Sequence, residues 1–422
     1  MASLASLRRQ FIGIYPGWWV LGACCFLALF PGAIFSYGFP VFYIPIREDL
    51  MLTDTQVSLI FALSRGEAGV GGPLVGWMVD KFDSRPIVLV FGLMAGVGVI
   101  ILSGVDGYWI FVLVYVGIVS VGNNSGFGQT FLAVTNRWFV RRRAVGMTIV
   151  ITAYTAGGAM LIPVLSRGID ALGWRDVMLY TGIFVAVVVI PFALMIRRSP
   201  ESVGIDLAQY GEAAEQTATA SSTGVSGRDY TVGEALRTPA YWFILVASAL
   251  RISVTSGVLV HAIPIMVWKG TSEQTGADMM ALLFFVSIPA RLLIGMSGMR
   301  LPGQGVLGVG MAVGAVSLLG LNLVPGAWII FPFIAGMAVL EGASVLNWVL
   351  VGNIFGRRSF ATLTGIISVF YSAGMMLSPL FLGWMVDREG GYTESLLILT
   401  ALYGVSALLF AIARAPRGPR AA

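Results

Sequence analysis

The stretch Met279–Met299, MMALLFFVSIPARLLIGMSGM, decides the fold class. Its only charge is Arg291, and about 20 predominantly apolar residues are enough to cross a bilayer as a helix. A guanidinium group keeps its proton in any protein environment. Placing it in hydrocarbon therefore costs at least ~2.5–3.5 kcal/mol on insertion scales. The stretch predicts a membrane helix whose arginine meets an anion, which is a protein carboxylate, a lipid headgroup or a substrate.

The composition of the whole chain agrees with a membrane protein. Of its 422 residues 57% are hydrophobic and 11% are charged, whereas about 25% are charged in an average soluble domain. The 53 glycines suit helices that pack closely through small residues. The two cysteines, Cys24 and Cys25, are neighbours and offer neither disulfide nor metal-ligand spacing. We therefore expect no metal site and no soluble-enzyme fold.

Twelve apolar segments of spanning length follow one another in two sets of six. They lie at about 17–43, 56–79, 86–105, 108–134, 144–167, 175–196, 240–267, 277–299, 303–323, 326–352, 361–386 and 394–413. Residues 197–239 between the sets are polar and rich in small residues, which is typical of a flexible linker. The prediction is an all-α membrane protein with six-helix bundles at 1–196 and 240–413 and a tail at 414–422.

The basic residues predict the orientation. Eighteen of the 26 fall in segments that share one side with the N-terminus, five fall on the other side, and three lie within spans. Positive charge marks the cytoplasmic side, so both termini are expected inside. The net charge of +5 is thereby explained by topology and does not indicate a nucleic acid partner. The apolar run after Arg8 and Arg9 continues to Ile46, so we expect a retained first span.

The two halves are related by an internal repeat. A displacement of 217 residues superposes ten identical residues across 38 positions without a gap. The pairs include Asn136 with Asn353, Tyr154 with Tyr371, and Asp170 with Asp387. A parallel six-span repeat is typical of carriers that expose a central site alternately to the two sides of the membrane.

One loop motif carries a family resemblance. Gly76–Arg85, GWMVDKFDSR, resembles the Gly-x-x-x-Asp-Arg/Lys-x-Gly-Arg-Arg/Lys signature of the major facilitator superfamily, from which Asp83 and Ser84 depart. The resemblance implies that Asp80 and Arg85 pair with charges at neighbouring cytoplasmic helix ends and latch the outward-open state. Other candidates for gating or structural pairing are Arg142, Arg65 and Arg251.

Further segments resemble the monocarboxylate transporters, and one is shared with the oxalate–formate antiporters. The segments are Phe35–Pro40, Gly71–Pro73 with Lys81–Pro86, Arg137–Gly146, Ser287–Arg291 and, for both groups, Tyr230–Trp242. The likeness implies a bacterial lactate–proton symporter of the cytoplasmic membrane. Two departures matter, because Val41 replaces the family's carrier lysine and Ser287 replaces the acid four residues before the arginine. The roles credited to that lysine and that acid are therefore not carried over.

Arg291 is the predicted clamp for the substrate carboxylate, since its fork of donors suits bidentate capture. Ser287 lies one turn earlier on the same helix face. The alternatives are a structural ion pair with Glu341 or Glu67, or snorkelling to the inner surface. Polar residues that line a cavity, or else join helices by hydrogen bonds, are His261, Asn123, Asn124, Asn347 and Tyr371.

The coupling proton has three candidate sites. His261 is the only histidine and titrates in the useful range, although a packing role is equally compatible. Glu341 lies among small residues in span ten, so it faces protein or water, either as proton acceptor or as an arginine partner. Glu67 is the third candidate, and its neighbour Arg65 points to a different helix face.

The predicted function is symport of a short monocarboxylate, L-lactate or pyruvate, with a proton, by a monomeric carrier that needs no cofactor besides this coupling ion. The alternative is anion exchange of the oxalate–formate kind, for which Arg251 would supply a second cation. A sensor is disfavoured because the linker offers no sizeable domain. An enzyme is disfavoured because no nucleophile–base or metal constellation is visible.

Overall fold

A computed structural model describes residues 15–139, 143–197, 199–200, 204, 230–297, 302–343, 346–355 and 360–413. All regular secondary structure in these residues is helical. The bilayer explains this, because a spanning helix satisfies every backbone polar group within its own segment.

Nine α-helices are described before the linker. They are α1 Gly17–Pro31, α2 Phe39–Asp49, α3 Asp54–Lys81, α4 Ser84–Ser103, α5 Tyr108–Val114, α6 Val121–Asn123, α7 Gln129–Trp138, α8 Arg143–Leu172 and α9 Trp174–Met195. Three short π-helical segments interrupt this series, at Gly32–Ser36, Tyr115–Ser120 and Asn124–Gly128. They break the predicted first and fourth spans into pieces, and such π segments are frequent at functional sites.

Nine more α-helices follow. They are α10 Val232–Leu236, α11 Pro239–Val260, α12 Ala262–Trp268, α13 Glu273–Ser297, α14 Gly303–Leu323, α15 Ile330–Ala343, α16 Leu346–Phe355, α17 Phe360–Glu389 and α18 Thr393–Ile412. Helix α10 is a short helix of five residues inside the predicted linker 197–239. Thr231 and Glu234 form a reciprocal capping box that starts this short helix.

Nine helical segments of the described chain are long and apolar enough to cross a membrane, and a tenth is counted if the bent pair α15 and α16 is one span. The all-α multispan prediction is thereby confirmed, whereas the count of twelve stays a prediction. The two remaining predicted spans coincide with α3 and α13, which have 28 and 25 residues. Both carry charges in mid-helix, Arg65 with Glu67 and Arg291 respectively.

The helix bounds reproduce the internal repeat. Helices α8 and α17 each have 30 residues, and adding 217 to the bounds of α8 gives the bounds of α17. Each ends shortly before a glycine with positive φ, Gly173 at 85° and Gly390 at 69°. Only glycine adopts this region without strain, so the two turns are built alike.

The described helices form two compact units. The first unit takes Met1–Ser36, Val70–Gly158 and Leu172–Ala220. Within it α4 and α9 pack backbone to backbone, because a Cβ at Gly96 would lie 2.9 Å from the amide nitrogen of Ala186. Small residues thus set the close approach that the glycine content indicated.

The second unit takes Tyr37–Gly69, Ala159–Ala171 and Ser221–Ala422. It holds Arg291, Glu341, Arg251 and His261 in one packed body. The division into bundles at 1–196 and 240–413 stays a prediction.

Candidate functional site

Arg291 meets a carboxylate in the second unit. Its Nη2 donates a hydrogen bond of 3.0 Å to Oε2 of Glu341, and the two side chains are only 18% and 12% exposed. Tyr37 is a second hydrogen-bonding partner of Arg291, and its ring packs 4.3 Å from that of Phe284. This ion pair with Glu341 is one of the structural roles that the sequence analysis gave Arg291 as an alternative to binding a substrate carboxylate.

A glycine brings the two charges together. Glu341 lies near the end of α15, and Gly342 follows it. A Cβ at position 342 would lie 3.0 Å from the carbonyl carbon of Ala290 on α13. A larger residue at position 342 would push α13 and α15 apart. Gly342 therefore allows Glu341 to reach Arg291, which follows Ala290 on α13.

A second guanidinium lies within electrostatic range of this carboxylate. Arg251 on α11 is 2% exposed and interacts electrostatically with Glu341. Its Nη2 donates to the hydroxyl of Tyr371 at 2.9 Å, and its charge lies 5.6 Å from the centre of that ring. Within the described residues its Nε has no hydrogen-bond partner. Two buried cations and one carboxylate therefore form a single electrostatic cluster, the Arg251–Glu341–Arg291 cluster.

Two predicted substrate ligands are already bound to protein. Ser287 is fully buried, and its hydroxyl donates to the carbonyl of Phe284 at 2.8 Å, within its own helix. Asn347 on α16 accepts a hydrogen bond of 2.8 Å from Ser248, which lies three residues before Arg251. Its Nδ2 has no partner within the described residues. Asn347 thus keeps a free donor next to the helix that carries Arg251.

His261 lies elsewhere, at the break between α11 and α12, and is fully buried. Its Nε2 is 2.9 Å from the hydroxyl of Ser58 and 3.2 Å from the carbonyl of Pro379, and its Nδ1 is 2.9 Å from the hydroxyl of Tyr392. A carbonyl only accepts, so Nε2 carries the proton and Nδ1 accepts from Tyr392. The ring is satisfied as a neutral imidazole, and none of its described hydrogen bonds involves Arg291 or Glu341.

The asparagine pair belongs to the first unit. Asn123 ends α6 and Asn124 begins a π-helical segment. The Nδ2 of Asn123 lies 3.5 Å from Oδ1 of Asn124, and Asn124 donates to Ser120 at 3.2 Å. Within the described residues Oδ1 of Asn123 and the hydroxyl of Tyr154 are buried without a hydrogen bond. Buried polar atoms of this kind are rare and mark where a ligand or a water completes the site.

The predicted gating residues have different surroundings. Arg85 donates to the carbonyl of Leu194 at 2.8 Å, which satisfies the end of α9. Arg65 lies over the ring of Phe61 at 4.7 Å and, like Glu67, is half-buried. Arg142 lies outside the described residues, and the side chain of Asp80 is likewise not described.

Tyr37 is the site residue that sequence reasoning missed. It belongs to the segment Phe35–Pro40, which resembles the monocarboxylate transporters. The departure from that family next to this segment is Val41, whereas Tyr37 within the segment interacts with Arg291. A polar residue inside an otherwise apolar span was the available signal.

These features define a multi-pass membrane transporter: repeated apolar helices, close glycine packing, and charges buried in pairs inside the second unit. The chain belongs to the Major Facilitator Superfamily, whose family model matches residues 21–269.

The sequence is similar to those of several organic anion transporters. It is 25% identical over 413 residues to the probable sulfoacetate transporter SauU of Cupriavidus necator, covering 92% of each chain. It is 22% identical over 400 residues to monocarboxylate transporter 12 of Xenopus laevis, covering 90% of this chain and 85% of the other. A third relative is the oxalate:formate antiporter of Oxalobacter formigenes, 26% identical over 216 residues that make up 50% of this chain and 47% of the other.

A solved structure confirms the fold. The bacterial homologue of the human lysosomal transporter Spinster, in an inward-facing and occupied conformation, superposes with a TM-score of 0.72. The alignment covers 93% of this chain and 96% of that one at 17% identity. At this identity the likeness extends to the architecture alone.

Proposed function

We propose that this protein moves short monocarboxylates, L-lactate or pyruvate, together with a proton by alternating access across a bacterial cytoplasmic membrane, working as a monomer. The observation that carries the proposal is the ion pair between Arg291 and Glu341, with Arg251 within electrostatic range of the same carboxylate. The monocarboxylate transporter 12 relative supports the same substrate class.

Substrate binding is an exchange of carboxylates at Arg291. The entering carboxylate takes both outer donors of the guanidinium fork, which is the geometry that arginine offers to carboxylates. Glu341 gives up its 3.0 Å bond. Because Arg251 interacts with the same carboxylate, Glu341 is not left without a cation at the moment of exchange. The interaction of Arg251 with Glu341 therefore lowers the free-energy cost of breaking the Arg291–Glu341 ion pair.

Proton coupling follows from the same exchange. When Arg291 binds the substrate, Glu341 stays buried but interacts with less positive charge than before. A buried carboxylate in that state is neutralised by taking up a proton. Anion and proton then occupy the cluster together. Glu341 thereby replaces the acid that is missing at Ser287, while His261, which is satisfied as a neutral ring, is less suited to this task.

Uptake of radiolabelled L-lactate into proteoliposomes tests the proposal, with and without an inward proton gradient and with acetate, pyruvate and oxalate as competitors. Wild type should be stimulated by the gradient and Arg291→Ala should be inactive. Glu341→Gln should lose the stimulation by the gradient but keep exchange of labelled for unlabelled lactate. Full uptake by Arg291→Ala would contradict the role of the clamp.

A second candidate function is anion exchange of the oxalate–formate type. Arg251 favours it, because a second buried guanidinium beside Glu341 suits a substrate with a second anionic group. The sulfoacetate and oxalate:formate relatives are named for such substrates. If uptake requires a preloaded counter-anion and ignores the pH gradient, exchange is correct and symport is wrong.

A further inference from the structure

The end of α17 is tied to the beginning of α3. The carboxylate of Asp387 accepts hydrogen bonds from the backbone amides of Asp54, at 2.9 Å, and Thr55, at 2.8 Å. The hydroxyl of Thr55 also donates to it. The first amides of a helix have no partner within the helix and carry a partial positive charge. Asp387 therefore caps α3 from a position more than 300 residues away.

A glycine one turn earlier makes this reach possible. A Cβ at Gly383 would lie 2.5 Å from the carbonyl oxygen of Asp54 and 2.6 Å from Oγ of Ser58. Farther along the same helices a Cβ at Gly66 would lie 2.9 Å from Sδ of Met376. Helices α3 and α17 thus approach closely over several turns, and they do so through glycine.

A second set of hydrogen bonds joins the same ends of α3 and α17. His261 joins Ser58 on α3 to Tyr392, just beyond α17, through its two ring nitrogens. Asp54 is held in turn by Tyr43 at 3.0 Å and by Arg47 at 3.2 Å. We call this group the outer latch; its members are Asp54, Thr55, Ser58, His261, Asp387 and Tyr392.

The outer latch lies where a carrier must open. In the predicted orientation, α3 begins and α17 ends on the side of the membrane opposite the arginine-rich loops. Helix α3 comes from the first set of spans, whereas α11 and α17 come from the second. If the two sets rock against each other around a central site, access from that side requires the bonds of α3 to Asp387 and His261 to break.

We propose that the outer latch is the gate on that side of the membrane. The capping of α3 by Asp387 sets the fraction of protein molecules in which this gate is closed. The inference rests on the proposed transport cycle. The bonds from α3 to Asp387 and His261 exist only while the gate is closed, so weakening them shifts the population toward the open state.

The repeat supplies a matched control. Asp170 is the repeat equivalent of Asp387. It lies near Glu273 at the start of α13, as Asp387 lies at the start of α3. The structure records a charge interaction of Asp170 with Glu273. Among the described residues it records no backbone cap there like that of Asp387. Removing Asp170 should therefore leave the latch intact.

Distances between two spin labels test the proposal without any substrate. Met51, which is 92% exposed, and Glu394, also exposed, flank the latch without belonging to it. Both are changed to Cys in a background with Cys24→Ala and Cys25→Ala, and the labelled protein is measured by pulsed electron resonance in lipid nanodiscs. The variants are Asp387→Ala, Asp387→Asn, Tyr392→Phe and Asp170→Ala.

Asp387→Ala should raise the share of the long-distance population several-fold, and Asp387→Asn, which keeps one acceptor, should raise it less. Tyr392→Phe removes the bond that holds His261 in place for its contact with Ser58 and should raise this share less than Asp387→Ala does. Asp170→Ala should match the parent. A distance distribution for Asp387→Ala that superimposes on that of the parent would overturn the proposal. Failure of lactate uptake by wild type would count against the proposed function and leave these distances as they are.

Discussion

Glu341 lies 3.0 Å from Arg291, although 50 residues separate them along the chain. The pair is largely buried, and Arg251 interacts electrostatically with the same carboxylate. Removing one partner of a buried pair is costly, about 3–5 kcal/mol, because the other charge is left uncompensated. An anion that enters the cluster can supply the missing charge, so stability and substrate binding are coupled at this site.

The first prediction concerns this coupling. Glu341→Gln should lower the melting temperature, and L-lactate should raise it again by more than it does in wild type, since the substrate now replaces the lost carboxylate. Lactamide, which is neutral and of similar shape, should give no such rescue. Fluorescence-based thermal unfolding in detergent measures all three. Equal lactate shifts in wild type and variant would contradict the exchange of carboxylates.

The second prediction concerns the shape of the cation. Arg291→Lys keeps the charge but loses the fork of donors, so one hydrogen bond to a charged group is lost, worth about 1.5–3 kcal/mol. This corresponds to a loss of affinity of about 10- to 150-fold. Isothermal titration with L-lactate should show it, with Arg175→Lys as the control because Arg175 pairs with Asp106 outside the cluster. Unchanged affinity would show that Arg291 acts only as a point charge.

The third prediction concerns helix contact. Gly342→Ala places a methyl group against Ala290 of α13, and overpacking of this kind costs about 1–3 kcal/mol. It should also lengthen the Glu341–Arg291 contact and reduce uptake. Gly404→Ala is the control, because a Cβ there meets nothing within 4 Å. Thermal unfolding and uptake should therefore separate the two variants, and equal behaviour would contradict the role of Gly342.

The fourth prediction is a pH dependence at Glu273, before the predicted eighth span. Burial raises the pKa of this carboxyl, and the charges of Glu48 and Asp170 raise it further against a smaller opposing effect of Arg47. A raised folded-state pKa gives a stabilising contribution that is complete below the unfolded value and is lost as pH rises through the folded one. Ionised Glu273 therefore destabilises the fold at neutral pH.

Glu273→Gln should consequently melt at a higher temperature than wild type at pH 8, and the difference should shrink as the pH falls toward 5. Glu394→Gln is the control, because Glu394 is exposed in the first turn of α18. A difference that stays constant over this range would contradict the assigned pKa direction. The measurement is a series of melting curves at fixed ionic strength.

Much of the architecture could be predicted from the sequence. Apolar runs gave the helices, since in a bilayer length and hydrophobicity largely decide them. The repeat placed α8 and α17 in register, and the structure reproduces this register residue for residue. Arg291 could be singled out by its cost in an apolar helix, and Glu341 was a stated alternative for its partner.

Other features depend on packing that the local sequence does not encode. The cap of α3 by Asp387 joins residues 333 positions apart, and nothing near either residue indicates the other. Tyr37, just before α2, interacts with Arg291 on α13, more than 250 residues away in the chain. Helix α10 is different, since Thr231 and Glu234 have the spacing of a capping box and were readable in advance.

The equal length of α8 and α17 has a consequence for how this chain tolerates change. Two copies of an ancestral segment that still match over 30 residues without a gap have diverged by substitution and not by insertion. One extra residue in either helix would turn every later side chain by about 100° before the chain reached its terminal glycine. Single-residue insertions between positions 143 and 172, or 360 and 389, should therefore be far more harmful than most substitutions at the same places.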